Sequence, residues 1–113
     1  MLNDWASALS NNKRAAGALV EHNPKMIEAF RALNAAQGAT GTLDAKTREL
    51  IALAVAVTTR CDGCIAAHAA AARKAGVTEA ELSEALGTAI ALNAGAAYIY
   101  SLRAMDALGD FKE

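Results

Sequence analysis

Residues 60–68 read Arg-Cys-Asp-Gly-Cys-Ile-Ala-Ala-His, two cysteines three apart with a histidine four beyond the second. On a helix, residues three or four apart are neighbours, so Cys61, Cys64 and His68 can share one side. Cys64 and His68 lie one turn apart, whereas Cys61 and His68 are separated by about two turns, roughly 10 Å along the axis. The histidine therefore serves Cys64 first. A neutral imidazole there takes the thiol proton, and the resulting imidazolium stabilises the thiolate, the form that attacks peroxides and disulfides. An unassisted thiol is only a few per cent ionised at pH 7, so a nearby base, aided by a helix N-terminus, raises reactivity directly.

Three chemistries fit these residues. As a structural staple, a Cys61–Cys64 disulfide is poor, because closing a loop of about four residues stabilises by roughly 2 kcal/mol. Helical i,i+3 cysteines also hold their Cβ atoms about 5–6 Å apart, beyond the usual disulfide range of roughly 3.5–4.5 Å, so the bond needs a relaxed first turn. A bond formed under mild strain is readily reduced again, which suits turnover. As a zinc site the cluster is short, since structural zinc takes four ligands and this one offers three; Glu49, His22 or a partner subunit would have to complete it. No metal site or cofactor is assigned. As packing, the cysteines are small hydrophobes and the histidine a satisfied core residue. Cys-x-x-Cys in a chain of intracellular character favours redox or metal chemistry over packing.

Glu49 is the last charged residue before an all-apolar run, Leu50 to Val57. It is either a surface carboxylate beside Lys46 and Arg48, or an acid/base group at the mouth of a buried pocket. The helix breaks between Glu49 and Cys61, so periodicity does not decide whether they meet. His22, just before Asn23 and Pro24, reads as a loop residue.

The elements that position these residues are marked by caps. Asn23 and Pro24 open a helix expected to run to about Gln37 and stop at Gly38, with Met26, Ile27, Phe30, Leu33 and Asn34 along its apolar face. A third segment starts near Asp44, and its apolar run predicts a helix buried on nearly all sides. Thr58 and Thr59 weaken it, a new helix begins around Cys61, and Gly76 ends that one. Thr78 and Glu81 form a capping box for the next helix, whose Leu82, Leu86, Ala89 and Ile90 share a face. Gly95 is expected to break it from a last helix carrying Tyr98, Ile99, Leu102, Met105 and Leu108. Residues 3–19 read as helical with a break at Ser10–Lys13. No strand pattern and no repeat emerges, so the prediction is an all-α, single-domain helical bundle of about five to six helices over residues 1–113.

Composition bounds the remainder. The chain of 113 residues is 54% hydrophobic and 20% charged with one proline, and so belongs with ordered globular proteins. Thirty residues are alanine and five aromatic. Alanine favours helix but brings little apolar area, so such helices pack closely and against further copies; a homo-oligomer is expected. A net charge of −1 gives no reason to expect a nucleic-acid or anionic-membrane partner. The N-terminal residues carry no secretory pattern, which points to a cytoplasmic protein. Ala85–Leu102 is 18 residues without a charge, near the minimum for a membrane span. Its glycines, Asn93 and Ser101 favour a buried helix pair instead, so no membrane partner is expected.

Residues 43–86, including Leu-Asp-Ala-Lys-Thr-Arg-Glu-Leu and Arg-Cys-Asp-Gly-Cys-Ile-Ala-Ala-His, resemble the core of the alkylhydroperoxidase D-like branch of the carboxymuconolactone decarboxylase superfamily. A glutamate twelve residues before Cys-x-x-Cys and a histidine four after it are met by Glu49, Cys61, Cys64 and His68. The resemblance implies an all-helical fold assembled as trimers or hexamers and a peroxide-reducing thiol cycle. In that cycle Cys64 is the peroxidatic thiolate, His68 its base, Cys61 the resolving thiol, and Glu49 relays a proton toward Cys61. An external dithiol donor, a lipoylated or thioredoxin-like protein, reduces the disulfide. The resemblance departs at one place: the best-known peroxidases carry a relay histidine directly before the second cysteine, where this chain has Gly63. The decarboxylase namesakes generally lack the cysteine pair, which makes lactone decarboxylation the lesser expectation.

Overall fold

A computed structural model describes residues 2–112, and among these the chain forms five α-helices and no strand: α1 (Trp5–His22), α2 (Pro24–Ala36), α3 (Ala45–Thr59), α4 (Asp62–Lys74) and α5 (Glu79–Asp110). The starts are written locally. Asp4, Asp44 and Thr78 are N-caps whose side chains accept from the backbone N–H of Ser7, Thr47 and Glu81 respectively. Each such bond satisfies a donor that the first turn leaves without an intrahelical partner. Pro24 occupies the first turn of α2, where a missing N–H costs nothing. Thr78 and Glu81 make the full capping box, with Glu81 reaching back to the Thr78 N–H at 2.9 Å. Lys46 also bonds Glu81, at 2.8 Å. That bond and the Thr78 N–H hold the Glu81 carboxyl down from its ordinary 4.5 to about 2.

α3 lies at the centre, packed against α4 on one side and α5 on another, while α1 covers α4 and α2 touches α1. Leu53, Ala72 and Val77 form the core, with Leu50 and Leu82 against it. The turn between α4 and α5 closes this core: Gly76 takes φ 86° and Val77 N–H returns to the Ala72 carbonyl at 3.0 Å. Burying a side chain the size of leucine stabilises by about 2 kcal/mol, so this small cluster is the main source of tertiary stability within one chain.

Three expectations are corrected. α5 is one helix of 32 residues with no break at Gly95; Gly95 has helical backbone, and a glycine costs only about 1 kcal/mol when no proline or inserted side chain forces a kink. α1 runs through Ser10–Lys13 without interruption, because Asn11 is engaged on the helix surface by the Arg14 guanidinium. The apolar run of α3 is not enclosed on all sides: Leu53 and Ala56 are 3% and 2% exposed, whereas Ile51 and Val55 are 49% and 55% exposed. Two neighbouring helices cover two stripes of α3, and a third stripe stays open.

The open stripe is part of a larger pattern. Met26, Phe30 and Leu33 on α2, and Ile90, Tyr98, Ile99, Leu102, Met105 and Leu108 on α5, are all exposed. The accessible surface is 9045 Å², against roughly 5,800 Å² for a compact monomer of this mass. The radius of gyration is 18.7 Å, against about 13 Å for a compact chain of this length. α5 is also long and apolar enough to cross a membrane by length and composition.

Candidate active site

The site is built by the α3–α4 hairpin. α3 ends at Arg60, which takes the left-handed conformation (φ 55°, ψ 47°), and both Arg60 and Cys61 return their N–H groups to the Ala56 carbonyl. A non-glycine residue there costs roughly 1 kcal/mol, and the reversal it allows lays α4 back along α3. Glu49, near the start of α3, thereby faces His68, in the middle of α4. The Glu49 carboxylate oxygen Oε2 stands 2.7 Å from His68 Nδ1, and both side chains are half-buried.

Cys61 is the N-cap of α4, with extended backbone (φ −100°, ψ 97°), and Cys64 sits in the first turn. The two are joined in a disulfide with Cα atoms 5.2 Å apart. Because Cys61 lies outside the helix proper, its sulfur swings toward Cys64 and accepts the Cys64 N–H at 3.2 Å. Both sulfurs therefore lie at the positive end of the α4 dipole, where a thiolate is stabilised.

Cys64 and His68 open onto a cleft of about 440 Å³ between α3 and the segment that follows α2. Its floor is the open stripe of α3, with Ile51, Val55 and Thr59; Leu43 and Gln37 form the far wall, and among the described residues Arg48 is its permanent cation. Cys61 does not line it, so the cleft presents one sulfur of the pair. No motif in the sequence marks Arg48, Ile51, Val55 or Thr59. The available signal is their spacing, three, seven and eleven residues from Arg48, which is one face of one helix. Thr58, read as a helix weakener, bonds the Ala54 carbonyl at 3.0 Å and accepts from the Asn93 amide at 2.9 Å, tying α3 to α5.

Gly63 also has a structural counterpart. A Cβ at this position would stand 3.0 Å from the side-chain nitrogen of Asn12 on α1. α1 thus rests on the first turn of α4 across the space that a side chain at 63 would take. His22 ends α1, and among the described residues no group of three or more His, Cys, Asp or Glu is arranged to hold a metal ion.

The fold and site define a small all-helical protein with a Cys-x-x-Cys disulfide capping one helix beside a glutamate–histidine pair. The carboxymuconolactone decarboxylase family model matches residues 24–107, from the start of α2 nearly to the end of α5, and the chain belongs to that family. It is 61% identical over 107 residues to an uncharacterized protein of Haemophilus influenzae, covering 95% of each chain. It is 38% identical to uncharacterized protein 4 in the cox locus of Paracoccus denitrificans, covering 93% of this chain and 89% of that one. An uncharacterized protein of Cupriavidus necator is 32% identical, with 93% of both chains covered.

Proposed function

We propose that the protein is a thiol-dependent hydroperoxide reductase in which Cys64 is the attacking sulfur. The observation that carries this reading is the chain of contacts from Glu49 to His68 to the cleft that Cys64 lines. An ionised Glu49 accepts the Nδ1–H of His68, fixes that tautomer, and leaves Nε2 as the base for the Cys64 thiol. Glu49 thus acts through His68, in place of the relay toward Cys61 that the resemblance implies.

In the reaction the Cys64 thiolate attacks the terminal oxygen of a hydroperoxide. The O–O bond breaks, an S–O bond forms, and the alkoxide leaves as an alcohol by taking the proton held on His68. The Cys61 thiol then attacks the Cys64 sulfenic acid, releasing water and forming the disulfide, and an external dithiol returns two electrons and two protons. A lipoylated or thioredoxin-like protein has the chemistry required of that dithiol, and a reducing cytoplasm is the setting in which such a cycle runs.

The active form is a homo-oligomer, a trimer or hexamer. The excess accessible surface over a compact monomer, roughly 3,000 Å² per chain, exceeds the roughly 1,000–2,500 Å² that each partner buries in one obligate interface, and so favours more than one contact per chain. Covering the faces of α2 and α5 with further copies removes the membrane-length apolar helix from solvent without a bilayer.

The reading is tested by hydroperoxide consumption with dihydrolipoamide as reductant. With the dithiol the wild type turns over and Cys64→Ser falls to background; without reductant, Cys61→Ser reduces about one equivalent of peroxide per subunit and stops at the sulfenic acid. Unchanged turnover in Cys64→Ser contradicts the assignment.

A further inference from the structure

The cleft has a polarity that the peroxide chemistry does not use. Cys64 and His68 line it from α4, Ile51 and Val55 form its apolar floor on α3, and among the described residues Arg48, toward the start of α3, is the permanent cation on its wall. Arg48 is half-buried. Its guanidinium donates to the Leu43 carbonyl, and among the described residues no carboxylate lies within ion-pair distance of it. The neighbouring cation behaves differently: Lys46, two residues away, is neutralised by Glu81 at 2.8 Å. The nearby acids are committed elsewhere, Glu49 to His68 and Asp44 to the Thr47 N–H at 2.8 Å, so that Asp44 feels Arg48 only through space. Room for the guanidinium is made by Gly38, where a Cβ would stand 2.9 Å from Cζ. A half-buried cation kept without a counter-ion, over an apolar floor, leaves donors of its planar fork for a group that is not part of this chain.

Resting on the hydroperoxide-reductase reading, we propose that the substrate is an amphipathic hydroperoxide carrying a carboxylate, with its apolar body on Ile51 and Val55, its peroxide at Cys64, and its carboxylate on Arg48. Arg48 binds and orients the substrate; it moves no proton. The apolar floor alone accepts any alkyl hydroperoxide of suitable size, whereas the cation discriminates, because a neutral substrate leaves a half-buried guanidinium with the Leu43 carbonyl but no anionic partner. The fold thus selects for an oxidised fatty acid over the small neutral hydroperoxides that the sulfur chemistry would also reduce.

The test compares linoleic acid hydroperoxide with its methyl ester, which has the same body without the charge, and takes the acid-to-ester ratio of kcat/KM within each protein so that losses of folded enzyme cancel. The wild type favours the acid by about tenfold or more, the discrimination expected of one charge-assisted contact. Arg48→Gln, which can still donate to Leu43, brings the ratio to about one; Arg48→Lys retains part of it. A ratio near one in the wild type, or one unchanged in Arg48→Gln, overturns the proposal. If neither compound is reduced, the reductase reading fails, and the anion site is judged by calorimetric titration with octanoate and methyl octanoate. Binding of octanoate that weakens about tenfold in Arg48→Gln, with weak and unaltered binding of the ester, supports the site; equal affinities for both compounds overturn it.

Discussion

The α3–α4 hairpin and the C-terminal half of α5 are both apolar helix, yet their surroundings differ sharply. In the hairpin, Leu53 and Ala56 are covered by α4 and α5, and the turn at Arg60 brings Glu49 onto His68 across 19 residues of sequence. Beyond Asn93, which is tied to Thr58, α5 continues for more than four turns with every described residue exposed, including Leu102 at 54% and Met105 at 69%. The hairpin draws its contacts from within the chain, whereas the end of α5 has none among the described residues, which on the proposed homo-oligomer is where a further copy would pack. The proposed chemistry falls where the chain supplies its own contacts, and the proposed assembly where it does not.

Truncations should separate the two regions. Leu53→Ala removes the centre of the buried apolar cluster of Leu53, Ala72 and Val77, and an expected loss of about 3 kcal/mol is read by chemical denaturation. Leu102→Asp leaves contacts within the chain almost untouched. It should nevertheless dissociate the assembly, seen as a fall in mass by light scattering and loss of the concentration dependence of Tm. Retained assembly in Leu102→Asp, or a mass that requires detergent to appear, would place something other than a second copy on α5. Thr78→Ala removes the cap that starts α5 while sparing both regions, and a loss of about 1 kcal/mol is expected.

The smallest effect is one of pH. The Glu81 carboxyl is held down chiefly by Lys46 and then by the Thr78 N–H, to about 2 against an ordinary 4.5. A folded-state value below the unfolded one gives stability that is present above pH 4.5 and lost as the pH falls from there toward 2. The groups are solvent-exposed, so the contribution is small and screened by salt. Glu81→Gln should lower Tm slightly in the neutral range and converge with the wild type as the pH falls from 4.5 toward 2, flattening the acid limb.

What the sequence makes legible follows the same division. Asp44, the Pro24 start, Gly76 and the Thr78–Glu81 box act within one turn of themselves, so the starts of α2, α3 and α5 and the end of α4 can be read residue by residue. The i,i+4 relation of Cys64 and His68 is local in the same sense. The Glu49–His68 contact is not, because it depends on Arg60 adopting a left-handed turn, which its residue type does not advertise. Gly95 misleads for the opposite reason: a helix-weakening residue is tolerated where nothing forces a bend. The enclosure expected of Leu50–Val57 fails because an apolar run does not distinguish the stripe that neighbouring helices cover from the stripe that floors a cleft.

The central chemical claim is that Glu49 and His68 activate Cys64, and it is measured most directly on the reduced protein by alkylating each cysteine with iodoacetamide across pH 5–9 and resolving the two by mass spectrometry. The expected result is that Cys64 in the wild type reacts faster at pH 6 than in His68→Ala by roughly tenfold or more, with Glu49→Gln between them. Cys64 rates that coincide in wild type and His68→Ala at every pH would contradict it.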